Sequence, residues 1–142
     1  MTHRIEMMTT EQVVEYWDQI GPLMEAGCQG NDIAVLEMNS NDIFQLAKDG
    51  ICAVFVMWKD KSIVCALAIQ FGYVMQHKYA EIVSLGGQSL TLAKSMAWEP
   101  ILDWLRANEV EFVDAQTNPR FAKILLNKFG FTESSVNVRM RL

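Results

Sequence analysis

Cysteine and histidine, the side chains that most often supply nucleophiles and metal ligands, are sparse in this sequence and badly spaced for either task. Cys28, Cys52 and Cys65 are an odd number at wide intervals. Cys52 and Cys65 stand in apolar runs, where a thiol behaves as a small hydrophobe. A metal site needs ligand pairs such as Cys-x-x-Cys or His-x-x-x-His, and with His3 and His77 as the only histidines neither pattern occurs. His77 sits near a polar turn and reads as a turn histidine ahead of a base. The cysteine usage gives no sign of an oxidising compartment. Among the carboxylates, Glu81 stands out because it lies inside the strand-like run Tyr79-Ala80-Glu81-Ile82-Val83. In such a run a glutamate is ordinarily a solvent-facing residue, so its use depends on the elements around it.

Those elements are legible from periodicity. Arg4–Met8 reads as a first strand. Thr9, with Gln12 three residues on, is a helix start. Val13, Val14, Trp17, Ile20 and Met24 then recur at helical spacing, predicting one helix over Thr10–Ala26 with a bend near Gly21-Pro22. Asn39-Ser40-Asn41-Asp42 caps a short helix ending at Asp49-Gly50. Ile51–Trp58 and Ile63–Phe71 form a hairpin around Lys59-Asp60-Lys61-Ser62, and Tyr79–Leu85 is a further strand. Gly86–Lys94 reads as a small, polar loop and Trp98–Ala107 as a helix. A strand at Glu111–Ala115, a helix at Arg120–Phe129 and a last strand at Ser135–Leu142, with Val136, Val138 and Met140 alternating, complete the order βααβββαβαβ. An antiparallel start followed by βαβ crossovers predicts an α/β fold of the α+β kind, a mixed twisted sheet with helices on both faces.

The chain's 142 residues, 51% of them hydrophobic and 20% charged, fit a single globular domain spanning 1–142. A net charge of −5 argues against nucleic acid, which demands a basic face; Arg139 and Arg141 are the one local hint of such a patch. The longest apolar runs are of strand length, too short to span a membrane, and Thr2–Gln12 lacks the apolar core of a signal peptide. The expectation is a soluble cytoplasmic protein.

The C-terminal third carries a resemblance. Val110-Glu111-Phe112-Val113, followed by Asn118-Pro119-Arg120-Phe121-Ala122-Lys123-Ile124-Leu125-Leu126-Asn127-Lys128-Phe129-Gly130-Phe131, is similar to the strand, Asn-containing turn, helix and Lys-x-Gly-Phe ending of the GNAT N-acetyltransferase superfamily. The element order also resembles that family's. Gly130 is expected to end its helix in a left-handed conformation, and Phe131 to return the chain to the core. The resemblance implies an acyl-CoA N-acyltransferase fold, with acetyl-CoA as cofactor. In that family an Arg/Gln-x-x-Gly-x-Gly/Ala loop after the fourth strand offers backbone N–H groups to the pyrophosphate beside a helix N-terminus. Reading back from Trp104 puts Ser89-Leu90-Thr91-Leu92-Ala93-Lys94 on that loop, with Leu90 and Leu92 where small residues are expected. Gly86-Gly87 lies several residues early, so the implied site is a shifted loop of Gly86, Gly87, Gln88 and Ser89, with charge from Lys94. Val83 and Leu85 on the fourth strand and Asn118 on the turn complete the implied cofactor contacts.

The same resemblance assigns the chemistry. The strand around Glu81 is similar to that of the histone-acetyltransferase branch, where a glutamate takes the amine's proton through solvent. The tyrosine that in many members protonates the leaving thiolate has no counterpart in Leu125-Leu126-Asn127. Pro100 is expected to delay the helix start and so displace the phosphate-binding end. The reading that follows is a GNAT-fold protein with a degenerate acetyl-CoA loop, weak or inactive as a catalyst. Its use would be as a structural or interaction module, as in tailed-phage virions, with a protein partner or a homo-oligomer. The alternative is an acetyl-CoA-dependent N-acetyltransferase acting on a small primary amine.

Overall fold

The computed structural model describes residues 2–28, 39–115 and 119–134, with the single positions 138, 140 and 142. Strand β1, His3–Met8, leads into helix α1, Thr10–Glu15, which Thr9 and Gln12 open with a reciprocal capping box. Helix α2 follows at Trp17–Cys28, so the single helix expected over Thr10–Ala26 is two. The break falls at Tyr16 rather than at Gly21-Pro22. Tyr16 leaves the helical region, and its ring meets Trp58 edge-on at 5.1 Å, so packing sets the bend. Pro22 rides inside α2 at an exposed position, where a missing N–H costs one bond and no burial. Helix α3, Ser40–Lys48, is held by a capping box between Asn39 and Asp42.

The sheet is built from β2, Cys52–Lys59; β3, Ser62–Val74; β4, His77–Gly87; and β5, Phe112–Ala115, with β1 at one edge. Helix α4, Leu90–Ala107, crosses from β4 to β5, and α5, Pro119–Lys128, follows. The order in the sheet is β1-β2-β3-β4-β5, antiparallel up to β4 and parallel between β4 and β5. The mixed sheet expected from the sequence is therefore present. The strand expected at Ser135–Leu142 lies largely outside the described residues. Val138, Met140 and Leu142, which are described, belong to no strand and are exposed.

Two cores sandwich the sheet. On one face α1, α2 and α3 bury Val13, Ile20, Met24 and Ile43 against Val54, Val56, Ala66 and Ala68. On the other, Ala97, Ile101 and Leu105 of α4 lie against Phe55, Leu67, Ile69, Ala80 and Ile82. Trp104 packs there between Phe55 and Phe71, and Phe131 stacks on Trp98 at 5.9 Å. Gly130 is left-handed, with φ +78°, as its place after the helix requires. Phe112 does not join this core. Strand alternation turns Val113 and Ala115 toward α4, leaving Phe112 and Asp114 on the opposite face, with Phe112 39% exposed.

Candidate functional site

The site begins with an irregularity in β4. Ala68 pairs with Ser84 but the next residue, Ile69, pairs with Ile82, so Val83 is an extra residue in the strand. The bulge changes which side chains face which core. Ala80 and Ile82 face α4 before it, whereas Val83 and Ser84 both face α2 at it, and Leu85 returns to the α4 side. Ser84 is anchored there by donating its hydroxyl proton to the Met24 carbonyl at 2.9 Å. At the same height the parallel ladder between β4 and β5 stops, its last pair being Ile82 with Ala115. From Val83 to Gly87, β4 has β3 on one side and no ladder partner on the β5 side among the described residues. We refer to this end of β4, past its last described pair with β5, as the fork.

Beyond the fork comes the N-terminus of α4, earlier than the sequence led us to expect. The helix starts at Leu90, so Leu90, Thr91, Leu92 and Lys94 are helical and not on a loop. Gly86 and Gly87 are not on a loop either; they pair with Ala66 and Cys65 in the β3–β4 ladder. Gly87 adopts φ +126°, and a Cβ there would stand 2.3 Å from the Val64 carbonyl oxygen, so this glycine serves strand packing. The connection shrinks to Gln88-Ser89. Pro100 sits in the helix interior at an exposed position and delays nothing, because Ala97, Ile101 and Leu105 seat the helix on both sides of it. Leu90, Ala93, Ala97, Ile101 and Leu105 form the helical stripe in the sequence that would have revealed the full length.

The end of α4 is electrostatically open. Ser89, at the N-cap, is left-handed (φ 58°, ψ 43°), makes no side-chain cap bond, and no acidic residue occupies the first turn. The first N–H groups of an 18-residue helix therefore point out beside the fork without a side-chain acceptor. Leu90 turns inward and lines a cavity of about 50 Å³ with Leu85, Ala93, Lys94, Leu125 and Phe129. The Lys94 ammonium lies 5.7 Å from the Phe129 ring centroid, at the mouth of this slot.

Glu81 lies on the other face of β4, one residue before the last paired rung. Burial, and then the negative charge of Asp114, push its carboxyl above the usual carboxylate range. His77 is occupied elsewhere, with Nδ1 2.9 Å from the Glu111 carboxylate on the surface. Cys52 and Cys65 are buried, and each thiol is pushed up to about 11, chiefly by burial. Asn118 lies outside the described residues. The described residues thus bring Val83, Leu85, Gly86, Gly87, Ser89 and Lys94 to one end of the fork and Glu81 to its base. No group of acidic, histidine or cysteine side chains suited to a metal occurs among them, and none of their helices is long and apolar enough to cross a membrane.

Solved structures of acetyltransferases, among them a GNAT family acetyltransferase of Staphylococcus aureus subsp. aureus, share this fold across nearly the whole chain. An aminoglycoside acetyltransferase from an uncultured soil metagenomic sample superposes with a TM-score of 0.66 at 17% identity, covering 99% of this chain and 96% of that one. The ribosomal-protein-alanine N-acetyltransferase of Brucella melitensis biovar Abortus 2308 gives 0.69 at 10% identity, with 99% of each chain covered. Glucosamine-6-phosphate N-acetyltransferase of Arabidopsis thaliana gives 0.64 at 11%, again over 99% of each chain. No family profile and no curated protein sequence matches the chain. At these identities the likeness is one of fold.

Proposed function

We propose that this chain is an acetyl-CoA-dependent N-acetyltransferase that acylates a primary amine. The observation that carries the reading is the uncapped N-terminus of α4, placed directly after the bulged end of β4. The diphosphate of the cofactor suits the N–H groups of Leu90, Thr91 and Leu92, with Lys94 adding charge. When bound, acetyl-CoA supplies the activated acyl thioester. Backbone N–H groups of β4 beyond Ile82 would polarise the thioester carbonyl oxygen. Glu81, whose carboxyl burial and then Asp114 push above the usual range, takes the amine's proton through solvent. No hydroxyl stands on α5 at Leu125-Leu126-Asn127, so the leaving thiolate is protonated by water.

The test is release of free CoA thiol on mixing the protein with acetyl-CoA and a panel of primary amines. Glu81→Gln should lose turnover at neutral pH while retaining cofactor binding. Amine-independent thiol release, equal in the protein and the Glu81→Gln variant, would contradict the assignment.

A second reading, a catalytically silent interaction module such as a phage virion component, draws on one observation. The β3–β4 hairpin ends in exposed apolar side chains, with Tyr73 67% and Met75 92% exposed. A protein that neither binds acetyl-CoA nor releases thiol, yet self-associates through this tip, would favour it.

A further inference from the structure

Glu81 has a neighbour of the same sign. In the parallel ladder its register partner on β5 is Asp114, one rung before pairing stops at Ile82 and Ala115. Adjacent strands stand about 4.8 Å apart, so two side chains at one rung on one face lie within reach of a single small cation. Gln70 is the partner of Glu81 on β3, and beyond it the Cys52 thiol lies 4.0 Å from the Gln70 side-chain oxygen. The helices on this face carry Glu11 and Glu15 on α1, Asp18 and Glu25 on α2, and Asp42 and Lys48 on α3; Glu25 accepts the Ser40 N–H at 3.1 Å. Neither Glu81 nor Asp114 takes part in an ion pair found among the described residues. One rung toward the hairpin, Tyr79 and Phe112 stack at 5.4 Å with planes 7° apart. The Tyr79 ring lies against Gly72, where a Cβ would come within 2.7 Å of it, so the glycine makes room for that ring. Two carboxylates thus sit beside a partly exposed aromatic shelf, at the base of the fork where the thioester is read to lie.

We propose that Asp114 is a specificity-determining residue of this site, the second anion of a pair that seats the acceptor's ammonium group against Glu81. This rests on the reading of Glu81 as the base. The acceptor arrives protonated. Its ammonium bridges the two carboxylates, with its carbon body on the Tyr79–Phe112 shelf. One N–H proton passes to Glu81, directly or through water; the freed lone pair forms the C–N bond as the C–S bond breaks, and the thiolate takes a proton from water. Glu81 then returns its proton to solvent. The negative Asp114 helps twice, by attracting the cation and by raising the proton affinity of the group that must accept the proton. Amines are therefore selected by charge and by an apolar segment next to the nitrogen.

The experiment is a carboxyl NMR titration of Glu81 in the protein, in Asp114→Asn and in Asp114→Glu, without and with 1-aminopropane as probe. Asp114→Asn should move the Glu81 midpoint to lower pH and weaken the 1-aminopropane response by at least about fivefold, the scale of one lost charge contact near a surface. Asp114→Glu should restore most of both effects, which a merely structural role would not do. An unmoved midpoint and an unchanged amine response in Asp114→Asn would overturn the proposal. Calorimetry with acetyl-CoA on the same samples separates the two levels. Cofactor binding with an unmoved Glu81 refutes the role of Asp114 alone, whereas absence of cofactor binding refutes the acetyltransferase reading on which it rests.

Discussion

Glu81 carries a cost that can be measured without a substrate. Its carboxyl is pushed above the ordinary carboxylate range by burial first and by Asp114 second. A carboxyl with a raised folded-state pKa favours the fold while it is protonated. That contribution is fully present below about pH 4.5 and is lost as pH rises through the folded-state value. Replacing the charge with a neutral amide removes the penalty only where the penalty exists. Glu81→Gln should therefore raise the melting temperature at pH 7 and leave it nearly unchanged near pH 4. Thermal melts at the two pH values decide this, and a variant less stable at pH 7 would contradict it. Glu81 is singled out in the sequence by its strand's resemblance to that of the histone-acetyltransferase branch; its partner on β5 is not. Asp114 lies 33 positions away in the sequence and becomes a neighbour only through the parallel register of β4 and β5.

The helix α4 shows what a single residue can hide. Pro100 suggests a helix start by its usual preference, and the small residues before it suggest a loop. Both cues are local. The buried stripe from Ala97 to Leu105 is a longer-range signal, and it overrides a proline whose missing N–H falls on an exposed side. The glycine pair was misplaced for a related reason: Gly86-Gly87 looks like loop text, but Gly87 is needed where β3 comes close. The bulge at Val83 has no sequence mark, since it is a fault in pairing and only a partner strand defines it. The helix end can be tested by a substitution whose two effects have opposite signs. Thr91→Asp places a carboxylate in the first turn, where the helix dipole should reward it by about 0.3–1 kcal/mol. The same carboxylate would repel a diphosphate held at that end. A more stable protein with at least about tenfold weaker acetyl-CoA binding is expected. Unchanged affinity would move the diphosphate elsewhere.

At the scale of the whole molecule, the sheet separates two tasks. The α1–α3 face carries Glu81, Asp114 and the aromatic shelf, while the α4 face carries the slot. The mixed sheet and the alternation of its strands with helices were readable from periodicity because burial on two faces imposes it, although the break between α1 and α2 was not. The face of Phe112 was not, since one step of strand parity decides it and a four-residue strand offers few positions to fix the phase. Trp104, wedged between Phe55 and Phe71, ties α4 to β2 and β3. Trp104→Ala should cost about 3 kcal/mol in a denaturant titration, and a loss below about 1 kcal/mol would mean that α4 docks without it. The account as a whole turns on whether the fork and the free end of α4 hold an acyl-CoA. Isothermal titration calorimetry with acetyl-CoA is the most direct measurement. Saturable one-to-one binding in about the micromolar range, weakened by Thr91→Asp, is the predicted result; no detectable heat at millimolar acetyl-CoA, or binding indifferent to Thr91→Asp, would contradict it.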